Sequence, residues 1–220
     1  MTKILYVTAS ARQNGSLSRM LGDRFVTGWM RHDDLGEVVH RNVGMDPPAI
    51  ISGDWIAAAF TPKATRTDSQ QKLLELSDRL ITEVRRADLI VIATPMYNYG
   101  MPGALKAWVD QVVRVNETFT FDLARGDYPL EPVLSGKTLV LLTSSGEFGF
   151  GHGEAREEMG HLIPHLKTVS KYLGAKWIHS VSIEYQEFGD ARHDQSIATA
   201  KEQVDELLRS LASDKARVSA

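Results

Sequence analysis

The 220-residue sequence contains no cysteine, which excludes disulfides, a cysteine nucleophile and any thiolate-bound metal or cluster. It has no strong charge excess either. Its 25 Lys and Arg against 28 Asp and Glu leave a net charge of −3, so there is no electrostatic footprint for a nucleic-acid partner. No apolar run approaches membrane-spanning length, and no membrane partner is expected. Met1 leads almost directly into an apolar run at Lys3, without a basic segment, apolar core and cleavage site; the expected location is cytoplasmic. The length is enough for one sizeable α/β domain around one core.

Four runs have the length and composition of strands: Lys3 to Thr8, Asp88 to Thr94, Lys137 to Ser144 and Lys176 to Glu184. Glu37 to Asn42 is a weaker fifth. Between them, apolar residues recur at helical spacing, as in Leu17, Leu21 and Phe25, in Leu73, Leu76, Leu80 and Val84, and in Leu105, Val109 and Val112. Leu162, Leu166, Val169 and Leu173 form another such stripe, and Ile197, Val204, Leu208 and Leu211 the last. Alternating strands and helices imply an α/β, three-layer architecture: a parallel sheet with helices on both faces. Five strands suit the doubly wound, flavodoxin-like order 2-1-3-4-5. Residues 1–212 are expected to form this single domain, with 213–220 a flexible tail.

Two segments exceed a minimal sheet. Gly44 to Thr67 carries Pro47, Pro48 and Pro62 around Trp55, Ile56 and Phe60, and reads as an excursion with a short helix. Val115 to Leu134 alternates Phe119 and Phe121 with Thr118 and Thr120. Long loops inside a compact domain are usually functional or covered by a partner. Trp55, Phe60, Trp108, Phe119 and Phe121 exceed what one small sheet obviously hides, so the two excursions are candidates to trade across a two-fold axis.

Three loops carry the chemistry. Thr8-Ala9-Ser10-Ala11-Arg12-Gln13-Asn14-Gly15-Ser16-Leu17-Ser18 leaves the first strand and opens the first helix. The free N–H groups and partial positive charge of a helix N-terminus hold phosphate; Ser10, Ser16 and Ser18 can add hydroxyls and Arg12 a charge. The loop lacks the Gly-Lys-Ser/Thr element of a Walker loop and the glycines of a dinucleotide fingerprint. The second loop, Pro95-Met96-Tyr97-Asn98-Tyr99-Gly100, follows the apolar run at Asp88 and enters a helix at Pro102, where a missing N–H costs nothing. Two aromatics and an amide at the carboxyl end of a buried strand suit a flat, hydrogen-bonding ligand such as an isoalloxazine. Asn98 also suits a left-handed turn. The third is Thr143-Ser144-Ser145-Gly146-Glu147, followed by Phe148-Gly149-Phe150-Gly151-His152-Gly153.

Ser-Ala-Arg with Ser16-Leu17-Ser18, Pro-Met-Tyr-Asn-Tyr ahead of Pro102 and Leu105-Lys106, Val115 to Phe121 and Thr-Ser-Ser-Gly together resemble the FMN-dependent NADH azoreductases. These belong to the flavodoxin-like NAD(P)H–quinone oxidoreductases, and the resemblance spans residues 3 to 185. It implies bound FMN, NADH or NADPH as electron donor, a quinone or azo acceptor, and a homodimer with an active site near each interface. Ser10, Arg12 and Ser16 to Ser18, Leu17 included, would hold the phosphate. Pro95 and Met96 to Tyr99 would line the isoalloxazine and ribityl chain, and Thr143 to Glu147 the pyrimidine edge, where backbone N–H groups would face developing negative charge. Phe119, Phe121, Phe148 and Phe150 are candidates for the substrate site or interface. Phe121 stands where the family often has tyrosine. Ser144-Ser145-Gly146-Glu147 departs from the family's Ser-Arg-Gly-Gly; losing the arginine and gaining a carboxylate bears on substrate choice or flavin potential. Residues 148–153 read as an altered substrate lid.

The chain is too short for a separate nicotinamide-binding domain, so donor and acceptor would use one flavin face in turn, a ping-pong scheme. The flavin carries the chemistry, and no side chain is assigned as obligate acid or base. The rival reading is a flavodoxin-type electron carrier, although such carriers are usually strongly acidic. His161 and His165 share helical spacing, but Pro164 and the neighbouring leucine stripe make them a solvated helix flank, and no metal is expected. A hydrolase would need a Gly-x-Ser-x-Gly elbow, which is missing.

Overall fold

The computed structural model describes residues 1–33 and 35–218. Five parallel strands form the main sheet: β1 (Lys3–Thr8), β2 (Glu37–Asn42), β3 (Leu89–Pro95), β6 (Lys137–Ser144) and β7 (Ala175–Ile183). Their order is β2-β1-β3-β6-β7, which is 2-1-3-4-5 counted within the sheet. A separate antiparallel ribbon pairs β4 (Phe119–Phe121) with β5 (Leu130–Pro132). The helices are α1 (Leu17–His32), α2 (Gly53–Phe60), α3 (Asp68–Arg86), α4 (Gly103–Val112), α5 (Leu162–Ser170) and α6 (Ala191–Val218). Of the expected tail, residues up to Val218 continue α6 and 219–220 lie outside the described residues.

All seven residues of β3 are buried. A strand covered by helices on both faces needs apolar residues at successive positions rather than alternate ones. The side-chain alternation of a strand then sorts β1 into two cores. Leu5 and Val7 join Ile90, Ile92, Leu139 and Leu141 beneath α3, α4 and α5. Ile4 and Tyr6 join Val91, Val140 and Leu142 beneath α1 and α6. The stripe of α3 runs through Leu74, Leu80, Ile81 and Val84; Leu73, expected inside, is exposed. A slip of one residue rotates the face by about 100°. Thr67 and Gln70 close a capping box at the start of α3, and Arg85 and Arg86 sit in its last turn, complementing the dipole. Pro164 is tolerated in α5 because it falls in the first turn.

The excursions fold back on their own chain more than expected. Trp55 and Trp108 are both buried within the subunit, so neither contributes to an apolar surplus. A polar network fastens the first excursion to α4: Trp55 Nε1 donates to Gln111 Oε1 at 3.1 Å, and Gln111 Nε2 donates to Ala49 O at 2.9 Å. The buried Arg114 guanidinium donates to Ser77 Oγ at 2.8 Å and pairs with Asp78, tying the end of α4 to α3. Apolar side chains that do face outward include Ile50, Phe60, Phe121, Leu123 and Tyr128.

Gln111→Leu leaves the Trp55 indole N–H and the Ala49 carbonyl without their partners. The buried indole N–H so stranded costs about 1–3 kcal/mol, whereas the exposed Ala49 carbonyl can turn to water. The denaturation midpoint should fall accordingly, without loss of the five-stranded sheet by far-UV circular dichroism; an unchanged midpoint would show that the network does not hold the excursion.

Candidate functional site

The parallel register brings strand ends together. Thr8 pairs with Ala93, Pro95 with Ser144 and Ser144 with Ile183. The loops that follow β1, β3, β6 and β7 therefore open on one edge of the sheet, around the switch point between β1 and β3. They enclose a cavity of about 390 Å³.

Ser10, Arg12, Ser16 and Leu17 line this cavity from the first loop. Ser16 caps α1, its Oγ accepting from Arg19 N at 3.3 Å. Gly15 makes the turn before it with φ +69, a backbone state that favours glycine. Ser18 is fully buried and does not line the cavity; its Oγ lies 3.4 Å from Ser16 Oγ. Behind the loop, Gly44 N donates to Thr8 O, and a Cβ on Gly44 would stand 2.2 Å from Ser10 O. The close approach of those two segments thus requires glycine.

Pro95, Met96 and Tyr97 form the second wall. Tyr97 and Gly100 exchange backbone hydrogen bonds at 3.1 and 3.0 Å across Asn98 (φ +47) and Tyr99 (φ +64). Two consecutive positive φ values identify a type I′ turn. Asn98 is at ease there, whereas a bulky aromatic at φ +64 is strained. Asn98 and Tyr99 stand on the exposed rim rather than in the wall.

Ser144, Ser145 and Gly146 supply the third wall. The Ser145 N–H donates to Ile183 O at 2.9 Å, so it is not available to a ligand as expected; Gly146 and Glu147 carry N–H groups without an acceptor among the described residues. Thr143 turns away, its Oγ1 2.7 Å from Ser182 Oγ. The Glu147 carboxylate reaches out of the cavity to Arg156 Nε at 3.3 Å and accepts from the Tyr99 hydroxyl at 3.4 Å.

A fourth wall was not anticipated. Gln186 and Glu187, just beyond β7, line the cavity, and their N–H groups donate to Ser145 O and Gly146 O. The only signal was positional: these residues follow the last strand of the sheet.

Phe148 and Phe150 begin the segment over the site. The Phe148 ring stacks on Tyr185 at 4.3 Å, and the Arg156 guanidinium lies 4.3 Å from its centroid. Phe150 meets Tyr99 edge-on at 6.3 Å. Beneath them the half-buried Glu184 carboxylate accepts from Gly149 N at 3.1 Å and from the Phe150 N–H. Burial pushes its carboxyl above the usual range, and the two N–H groups offset this only in part. Phe119 packs on Tyr172 at 5.4 Å and Phe121 is exposed; neither lines the cavity of this subunit.

Residues 2–208 match a family model described as a flavodoxin-like fold. The chain is 51% identical to FMN-dependent NADH:quinone oxidoreductase 2 of Colwellia psychrerythraea, over 96% of this chain and 100% of that one. It is 37% identical to FMN-dependent NAD(P)H:quinone oxidoreductase 1 of Pseudomonas aeruginosa, over 96% and 100%. The chain belongs to the flavodoxin-like FMN-dependent NADH:quinone oxidoreductases. The fold is also that of a Bacillus anthracis azoreductase crystal structure, with a TM-score of 0.83 at 20% identity over 96% of this chain and 100% of that one.

In this quinone oxidoreductase the Glu184 anchor of Gly149 and Phe150 yields a pH signature. With the folded-state pKa of Glu184 raised, its contribution to stability is full below the unfolded value of about 4.3 and declines as pH rises through the folded value. Glu184→Gln should flatten that decline in a pH series of denaturation midpoints. Glu184→Ala should speed amide exchange at Gly149 and Phe150. Unchanged exchange in Glu184→Ala would show that the carboxylate does not hold this segment.

Proposed function

We propose that this chain binds FMN in the cavity at the β1, β3, β6 and β7 ends, and passes two electrons from NADH or NADPH to quinones, with azo compounds as a second acceptor class. The observation that carries this is the convergence of four differently built walls on one cavity of about 390 Å³, within the range that holds cofactors.

The donor set suits FMN part by part. Around the helix N-terminus, none of the N–H groups of Gln13 to Ser18 donates to a protein atom among the described residues, and the Ser10 and Ser16 side chains border the same space. That is a receptor for a phosphate. Pro95, Met96 and Tyr97 offer an apolar wall for a flat ring system. The free N–H groups of Gly146 and Glu147 suit carbonyl oxygens at the ring's edge. When bound, FMN supplies two-electron hydride chemistry.

The protein's part is orientation and exclusion. Residues 147–160 follow the third wall, tied to Glu184 through the Gly149 N–H and braced internally by Arg156 against Phe148; in this reading they serve as the substrate lid. One mouth serves both donor and acceptor, so the spent donor leaves before the acceptor enters. Ile50, Phe60, Leu123 and Tyr128 give the subunit an apolar exterior, which supports a homodimer formed through the two excursions. The chain acts in this reading as a cytoplasmic enzyme.

Purified protein should be yellow or turn yellow with FMN. It should oxidise NADH when a quinone is supplied, with parallel double-reciprocal plots at varied quinone. A colourless protein that takes up no FMN would overturn the proposal, while intersecting plots would overturn the alternating order alone. Sedimentation should give twice the 24.4 kDa chain mass.

A further inference from the structure

The first loop raises a question that the serines do not answer: what keeps its backbone donors free. Arg19, one turn into α1, provides the means. Its Nη1 donates to Arg12 O at 2.8 Å and to Gln13 O at 3.0 Å, and its Nη2 donates to Ser10 O at 3.0 Å. One guanidinium therefore holds three of the four carbonyls from Ser10 to Gln13. In a trans peptide the C=O and the following N–H point in opposite directions. Fixing the Ser10, Arg12 and Gln13 carbonyls on Arg19 turns the N–H groups of Ala11, Gln13 and Asn14 away from it. None of these three donates to a protein atom among the described residues. Successive N–H groups pointing one way make an anion-binding concavity.

The charge of Arg19 is also uncompensated. It forms no ion pair among the described residues, and its Nε is buried without a partner. Its acceptors are neutral carbonyls. Arg12 is different: its side chain is exposed at the rim, where solvent screens it. The far side of Arg19 is anchored too. The Tyr6 hydroxyl donates to Arg19 O at 3.2 Å and to Asp23 Oδ1 at 2.9 Å, so the helix turn that carries the guanidinium is fixed to β1.

We propose that Arg19, and not Arg12, is the positioning residue of the phosphate cradle, shaping the loop backbone into an anion receptor and supplying its unpaired positive charge. This rests on the FMN reading above and names the group that makes the site selective for a phosphorylated flavin. Because Arg19 acts on the phosphate end alone, its loss should separate FMN from riboflavin, which has the same ring system and no phosphate.

The test titrates apo-protein with FMN and with riboflavin by flavin fluorescence, alongside thermal unfolding. Arg19→Gln should weaken FMN by about tenfold or more, the scale of a lost charge-assisted contact, and leave riboflavin within about twofold. Arg19→Lys keeps the charge but not the fork that spans three carbonyls, and should fall between the wild type and Arg19→Gln. Arg12 borders the cavity but is exposed, so Arg12→Gln should weaken FMN less than Arg19→Gln does; a larger loss in Arg12→Gln would overturn the assignment to Arg19. The proposal is overturned if Arg19→Gln keeps the wild-type preference for FMN. It is equally overturned if both ligands weaken together, which would mark a purely structural residue. Should Arg19→Gln not fold, a wild-type FMN preference in Arg19→Lys would overturn it alone. A wild-type protein that binds FMN no better than riboflavin would instead remove the cofactor reading on which the inference stands.

Discussion

The parallel hydrogen-bond ladder between β1, β3, β6 and β7 decides where this chain can do chemistry. Those strands run in one direction, and their register ends them at nearly one level. The connections after β1 and β6 carry N–H groups without an acceptor among the described residues, whereas those just after β7 are paired with the third wall. The same ladder consumes donors selectively. It claims the Ser145 N–H for Ile183 O and the Ser144 carbonyl for Met96 N, but leaves Gly146 and Glu147 free. The site is thus what remains unpaired when the sheet stops. Its chemistry is mostly backbone, which agrees with a protein whose reactive group is a bound cofactor rather than a side chain.

That division explains what could be read from residue order. The central strands were legible because burial on both faces forces continuous apolar runs, and Lys137 to Ser144 and Lys3 to Thr8 carry them without interruption. The Tyr-Asn-Tyr loop was legible for a local reason: Asn98 solves a backbone problem at its own position. Long-range selections were not. Whether Trp55 faces a partner or Gln111 depends on a side chain 56 positions away, and no periodicity encodes that. Gln186 and Glu187 were missed because nothing in their type marks them. They matter only because β7 ends beside β6.

Electrostatics followed the same pattern. An arginine inside a serine-rich loop looks like the charge for a phosphate, and Arg12 has that position in sequence. In space the loop wraps around Arg19, whose long side chain reaches back six to nine residues to the carbonyls before it. A helix places residue side chains over the preceding turn, so a cation just inside a helix start can serve the loop before it. Arg12 borders the cavity, while Arg19 holds the backbone carbonyls of the same loop.

The second loop shows how such a site keeps an unfavourable backbone. A tyrosine at φ +64 beside an asparagine at φ +47 costs of order 1–3 kcal/mol unless the surroundings hold it there. Here they do so from both ends. Tyr97 and Gly100 exchange two hydrogen bonds across the turn, and the N–H of His161, at the start of α5, donates to the Tyr99 carbonyl at 2.8 Å. The Tyr99 ring is engaged by Phe150 and its hydroxyl by Glu147. The strained turn is therefore joined to Glu147, to Phe150 and to the start of α5. A flat ligand against Met96 and Tyr97 would meet a wall already set in shape, with the ordering cost of binding largely met during folding.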